Sequence, residues 1–411
     1  MPGANYEVTD NKDAFLQSKA ARINYDSSYI QGAINIFPQG LLFQTSITPV
    51  NPTIGQWQEN PTLFAGEGDI PFDIFSAAFW LTSRYEEYTD TTRDNHGRFA
   101  AKQSFLFKNN LLHLPLINIW ADGLRRMLNN THGLALKPLS YSYVPTLDID
   151  QVYYYKYRPL ISSVLGAGKQ FTKGNFKGLE QRMLATLNLV PDPNNTFAYQ
   201  HKIHEQYNIS PVYFFHMGTG GKHDPTPLHT KKSVLAVINS VSSQNMAGIH
   251  PSYRSFNNEA IILAEKRRLE EIIGRTVECS RQHYLRFTLP DTYRQLIECG
   301  ITHEYSMGYA DNTGYRAGIS SPFFWFDLER NEVTPLTVHP FAVMDVTLKN
   351  YMKLNTLNAI KEIEKLATPV KQYGGEFSSL WHNESLGSLP EWKGWSDVYE
   401  AMTSFCITNE D

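Results

Sequence analysis

Cysteine is nearly absent: Cys279, Cys299 and Cys406 are the only three in 411 residues. An odd, sparse set without a C-x-x-C pair excludes a disulfide framework and a thiolate zinc site. Neither sign of charge dominates. The formal net charge is -4, so no basic field gathers nucleic acid or anionic lipid. No run approaches the roughly 18 apolar residues that a membrane helix needs. The opening residues, Met1 to Glu7, hold neither a basic n-region nor an apolar h-region. A soluble, cytoplasmic chain that binds neither nucleic acid nor membrane is expected. Internal repeats and low-complexity tracts are lacking, as is any G-x-S-x-G elbow of a serine hydrolase. Gly218-Thr219-Gly220-Gly221-Lys222 misses phosphate-loop spacing and reads as a turn.

What is present is an ordinary globular balance, 42% hydrophobic and 19% charged. The length suffices for two domains. Aromatic content is generous at 13%; such a surplus fills cores and also suits flat ligands such as sugar rings. The first 138 or so residues have a texture of their own, with short alternating segments such as Leu41 to Thr45. There a helix is expected from Phe72 to about Tyr88, with Phe72, Phe75 and Phe79 as its core stripe. Arg84, Glu86 and Glu87 read as its solvated or ion-paired end, and Asp94-Asn95-His96-Gly97-Arg98 as a polar turn, with a functional role for His96 or Arg98 as the lesser alternative. From Tyr141 onward strands alternate with helices. Strands are expected at 142–148, 211–216, 247–250, 277–283, 301–306, 334–343 and 376–381. Helices are expected from Asn257, as N-cap, to Ile273, and from Asp345 to about Leu366. About seven strands alternating with helices imply an α/β fold with a parallel sheet, open or closed into a (β/α) barrel.

In such folds the C-terminal ends of the strands carry the chemistry. Asp148 and Asp150 end the first expected strand. At i and i+2 they point to one face, where two like charges call for a cation between them or a retained proton. Taken alone, the pair reads more simply as two solvated carboxylates that cap the next helix; the later strand ends turn the reading. His216 and His250 end the next two strands. Arg281, Gln282 and His283 leave the following one, Glu304 and Asp311 lie at or beyond the next, and His382 ends the last. Oxygen and imidazole ligands, a guanidinium and a second imidazole suit a divalent metal with acid/base work.

The order of these segments resembles the polysaccharide deacetylase family (the NodB-homology domain, carbohydrate esterase family four). Thr146-Leu147-Asp148-Ile149-Asp150 resembles its T-F-D-D motif with one residue inserted between the acids. His250-Pro251-Ser252-Tyr253-Arg254 matches the first His of H-[ST]-x-x-H. Arg281-Gln282-His283-Tyr284 resembles R-x-P-[YF], and Leu380-Trp381-His382 resembles L-x-L-H. The strings Ser280 to Arg286, Tyr305 to Asp311 and Leu380 to Asn383 resemble a bacterial branch with an extra N-terminal domain. The resemblance covers about 140 to 400. It implies a (β/α) barrel of about seven strands, distorted TIM-like, over 139–411. A smaller mixed α/β accessory domain would occupy 1–138.

The resemblance further implies hydrolysis of an N-acetyl or similar acyl amide on a carbohydrate. Asp148 would be the general base, Arg281 its ion-pair partner and His382 the general acid. Asp150 and His250 would hold a divalent metal, zinc by preference. A backbone N–H near Tyr284 would meet the oxyanion. Tyr284, Trp325, Trp381, Phe323 and Tyr309 are candidates for the walls of a sugar site, with core packing as the competing role. The chain departs from the pattern at Arg254, which stands where the motif has its second His. A catalytic metal normally takes three protein ligands, so another residue would have to contribute; His216, His223 and His229 are the candidates. Two alternatives follow from the same residues. One is a glycan-binding protein without turnover on this fold. The other is a nucleotide-sugar glycosyltransferase using Asp148 and Asp150 as a D-x-D metal site.

Overall fold

The structure, a computed structural model, describes residues 5–158, 176–227 and 229–408 and isolated positions between 164 and 174. It is a mixed α/β fold with one large, mostly parallel sheet and many helices. The N-terminal region has two small sheets. Strand β1 (Ile23–Tyr25) pairs in parallel with β2 (Ile34–Ile36), and β3 (Ile54–Trp57) forms a hairpin with β4 (Asn60–Leu63). These elements share a core with the helices Ile74–Thr82 and Leu116–His132, built on Ile36, Leu63, Phe72, Ala77, Trp80 and Trp120.

The large sheet follows. Its strands are β5 (Tyr141–Ile149), β6 (Val212–His216), β7 (Met246–His250), β8 (Cys279–Ser280), β9 (His303–Glu304), β10 (Phe323–Asp327), β11 (Glu332–Val338), β12 (Val343–Met344) and β13 (Gly375–His382). Their order is β10-β11-β9-β8-β7-β6-β5-β13-β12. Every neighbouring pair is parallel except β10 with β11. Parallel sheets are covered on both faces, which explains why Val-Tyr-Phe-Phe-His of β6 is buried at every position.

Several expectations are corrected here. The segment expected as one strand at 334–343 is two, β11 and β12, parted by His339-Pro340; proline cannot donate to a ladder. β10 was not expected at all. The helix expected over Phe72–Tyr88 breaks at Arg84, whose φ is +55°. Its core face is Ile74, Ala77, Trp80 and Leu81, whereas Phe75 is exposed. The helix expected from Asn257 starts one residue later, with the Asn258 side chain accepting from the N–H of Ile261. The one expected from Asp345 is a π-turn, Thr347–Tyr351, and a separate helix, Thr356–Tyr373, capped by Asn355.

Arg84 and Glu87 are ion-paired, as one of the two expected states, but they are buried and not solvated. Glu87 lies between two guanidiniums: Arg84 Nε donates to it at 2.8 Å, and Arg316 at 2.9 and 2.6 Å. Burial opposes its charge, yet Arg316 and Arg84 hold its carboxyl down at about 2. Arg84 also donates to the Arg316 carbonyl and, at 3.2 Å, to the Tyr309 hydroxyl. The network fastens the N-terminal region to the segment that follows β9. Glu87→Ala leaves two buried guanidiniums without their carboxylate. It should cost about 3–5 kcal/mol in chemical denaturation, as removal of one partner of a buried ion pair does.

Candidate active site

Parallel register brings the strand ends together. Asp148 of β5 lies opposite His382 of β13, and His216 of β6 lies opposite His250 of β7. β8 adds Arg281 and the turn after it, and β12 leads into Asp345. Asp148, His250 and His382 line one cleft of about 460 Å³, within the usual range for a small-molecule site, and His216, Arg281 and Asp345 stand behind it. Asp148, Asp150, His250, Tyr284 and His382 all face it, and Arg281 stands behind Asp148.

Asp148 is 2% exposed. Arg281 Nη1 donates to its Oδ1 at 3.0 Å, while Arg281 Nε donates to the Tyr305 carbonyl at 3.0 Å. The guanidinium is itself fully buried, with Phe214 beneath it at 4.6 Å to the ring centroid. A planar fork held on both sides fixes where the Asp148 carboxylate points. Its other oxygen, Oδ2, is 3.6 Å from His250 Nε2.

His250 reveals its own tautomer. Its Nδ1 lies 2.6 Å from the Arg281 carbonyl, which can only accept. Nδ1 therefore carries a proton, and Nε2 is turned toward Asp150. Nε2 is buried and makes no hydrogen bond to a described residue, and the same holds for Asp150 Oδ1, 3.3 Å away. A third donor completes the set. His283 Nε2 lies 3.6 Å from Asp150 Oδ2. Ligands about 2.05 Å from a tetrahedral zinc stand about 3.3 Å apart, so these separations fit a cation among Asp150, His250 and His283. The three ligand atoms lie within 4.8 Å of one another.

His283 is buttressed as metal-bound imidazoles are. Its Nδ1 lies 3.1 Å from Asp224 Oδ1. The same oxygen accepts from the Tyr253 N–H at 2.6 Å and faces His216 Nε2 at 3.3 Å. His216 Nδ1 accepts from the Gly218 N–H at 3.3 Å, so its proton is on Nε2, toward Asp224. Burial works against charge on His283, but Asp150 and Asp224 raise it to about 9. Burial likewise works against charge on Asp150, and His283 and His250 hold it well below the usual carboxylate range.

On the other flank, His382 Nδ1 and backbone N–H both engage Asp345, each at 2.8 Å. Burial disfavours the imidazolium, yet Asp345, with Asp150 and Asp148 beyond it, raises His382 to about 10. Nε2–H is left to face the cleft. Glu384 on the same rim is raised to about 7, by burial first.

Trp325 and Trp381 are not where a sugar wall would need them. Trp325 is buried against Tyr293, and Trp381 against Tyr399 and Trp395. Tyr309 is buried in the N-terminal core, and Phe323 lies outside the cleft. His216 reaches the site through Asp224, His223 lines the rim and His229 does not line the cleft. Glu304 is buried, bonded to Tyr293 and Ser306. Sequence reasoning did not single out His283 as a candidate ligand and missed Asp224 and Asp345; Arg98 entered it only as the lesser reading of a polar turn. A signal for His283 existed. It stands where the third motif has proline, in a chain whose second motif lacks its second His.

Residues 1–133 match a family of unknown function (DUF7033). No curated protein matches the chain. Among solved structures, the chain is similar to a putative polysaccharide deacetylase from Mycobacterium smegmatis, at 13% identity and a TM-score of 0.43, over 68% of this chain and 90% of that one. It is similar to a polysaccharide deacetylase from Bacillus cereus at 10% identity and 0.31, over 65% and 86%. It is also similar to a family-four pseudoenzyme from Bacillus anthracis at 9% and 0.32, over 66% and 62%.

Two outcomes follow from the site. His283→Ala should weaken divalent-metal affinity by more than about 100-fold and Asp224→Asn by about 10- to 100-fold, read by competition with a chromophoric chelator. Wild-type affinity in His283→Ala would remove it from the ligand set. The His382–Asp345 pair has a raised folded pKa. Its stability contribution is complete below about 6.5, the ordinary histidine value, and is lost as pH rises toward about 10. Thermal melts of wild type and Asp345→Asn should therefore differ most at and below neutral pH and converge toward pH 10.

Proposed function

We propose that the chain is a hydrolase that removes N-acetyl or similar acyl groups from a carbohydrate, with a divalent cation held by Asp150, His250 and His283. One observation carries this reading. A carboxylate gripped by a buried guanidinium, Asp148, and an imidazole held protonated, His382, are register partners on adjacent strands beside a three-ligand cation site. The motif order supports the substrate class. The reading includes closure of the sheet into a (β/α) barrel and a division into regions 1–138 and 139–411.

The donor set, one carboxylate and two imidazoles, suits zinc. A bound cation supplies Lewis acidity, which activates water and polarises the acyl carbonyl. The residues do the rest. Asp148 Oδ1 is committed to Arg281, so Oδ2 accepts the proton of the attacking water. Arg281 holds that carboxylate in place through the step. The backbone N–H at Tyr284 is the donor for the developing oxyanion. His382, anchored by Asp345 through Nδ1, gives its Nε2 proton to the departing amine. Tyr284, Leu285, Met344 and Leu380 supply apolar wall, which excludes water from the reacting amide.

The D-x-D glycosyltransferase reading fares poorly, because it gives no role to the Arg281 grip on Asp148 or to the His382–Asp345 pair. Glycan binding without turnover rested on the missing second His of the motif, for which His283 beside Asp150 and His250 offers a replacement.

Acetate release from N-acetylated oligosaccharides tests the reading. Asp148→Asn and His382→Ala should each lower kcat at least about 100-fold, as loss of a general base or acid does, with metal content retained. If metal-loaded wild type releases no more acetate than Asp148→Asn, the hydrolase reading is wrong.

A further inference from the structure

One turn of the N-terminal region reaches into the cleft. Asp94 accepts from the backbone N–H of His96 at 2.8 Å, the N–H of Arg98 at 2.9 Å and the Arg98 Nε at 2.8 Å. Gly97 takes φ +78°, a conformation open to glycine. This self-bonded turn fixes the direction of the Arg98 side chain, which is almost wholly buried and lines the cleft. Arg98 Nη1 donates to the Tyr284 carbonyl at 3.0 Å. From the other side, Arg286 Nε donates to the His96 carbonyl at 2.8 Å. The His96 ring lies against the Tyr284 ring, with centroids 5.0 Å apart.

The segment gripped in this way is 283–286. It carries His283 and the Tyr284 backbone, and it is strained. Tyr284 and Leu285 are consecutive non-glycine residues at φ +62° and +53°. Such a backbone persists only where its surroundings over-determine it, and it is found at functional sites. Leu285 is anchored in a small apolar cluster with Phe341 and Leu380. Tyr284 is anchored by Arg98.

We propose that the Asp94–Arg98 turn is a positioning clamp that holds the 283–286 loop in its strained conformation and so sets the metal ligand His283 and the Tyr284 N–H in place. The N-terminal region is then a working part of the active site. The proposal rests on the metal-dependent reading of the cleft, but its test does not depend on turnover.

Amide hydrogen exchange reads the loop directly. In Arg98→Ala, exchange across 282–286 should quicken by at least about tenfold, as a locally opened segment does, with β5 and β6 unchanged. Arg98→Lys should fall between. Unchanged loop exchange in Arg98→Ala overturns the clamp. Cobalt(II) reads the metal site: affinity should fall by about tenfold, as with other groups that orient a ligand, and the visible d–d spectrum should shift. Wild-type cobalt affinity and spectrum in Arg98→Ala, or no cobalt uptake by wild type, overturns the link to the metal. Asp94→Ala loosens the turn and keeps the guanidinium. It should show a weaker form of both effects, and it serves if Arg98→Ala does not fold. Cobalt uptake without acetate release by wild type would sink the hydrolase reading alone. Acetate release by wild type together with unchanged 282–286 exchange in Arg98→Ala would sink the clamp alone.

Discussion

Strand register is the constraint on which the site depends. Side chains alternate faces along a strand, so a slip of one residue turns every group to the opposite side. Asp148 meets His382, and His216 meets His250, because β13, β5, β6 and β7 are parallel and aligned to the residue. The hydrophobic run of each strand sets that alignment by what it buries. Leu147 and Ile149 go to one core while Asp148 and Asp150 are left to the cleft. Chemistry at the strand ends is thus fixed by packing well beneath them.

The second constraint is charge. Besides Glu384 on the rim, four aspartates, Asp148, Asp150, Asp224 and Asp345, stand around one small space, and each has a cationic or proton-bearing neighbour: Arg281, His250 with His283, His216 with His283, and His382. Buried charges of one sign are costly unless paired. The pairing divides the space into three zones. Arg281 fixes Asp148, Asp345 fixes His382, and between them Asp150 Oδ1 and His250 Nε2 are buried with no hydrogen bond to a described residue. There Asp150, His250 and His283 converge closely enough to hold a cation.

Much of this was legible in the sequence. The periodicity of hydrophobic runs located most strands of the large sheet, and the polar residue after each run pointed to Asp148, Asp150, His250, Arg281 and His382. What stayed hidden is what no local pattern encodes. Asp224 and Asp345 act on imidazoles 59 and 37 residues away in the chain, and Arg98 acts on a carbonyl 186 residues away. Trp325 and Trp381 misled because aromatic residues serve cores and sugar sites alike; burial decides, and it is a property of the fold. Arg84 and Glu87 form an ion pair, as one of their two expected states, but their burial was hidden for the same reason. Charged residues at a helix end usually meet water, and here a third charge, Arg316, takes its place.

The residue inserted between the two aspartates looked at first like a flaw in the motif. Neighbouring residues of an extended strand face opposite ways, so two adjacent acids there cannot both look into one cleft without a bend. Ile149 removes the need for one. Its side chain is sunk in the core on the far face, 2% exposed, and the carboxylates to either side emerge together. Ile149 therefore acts as a peg, and the depth to which it is driven sets the height at which the two carboxylates stand above the sheet.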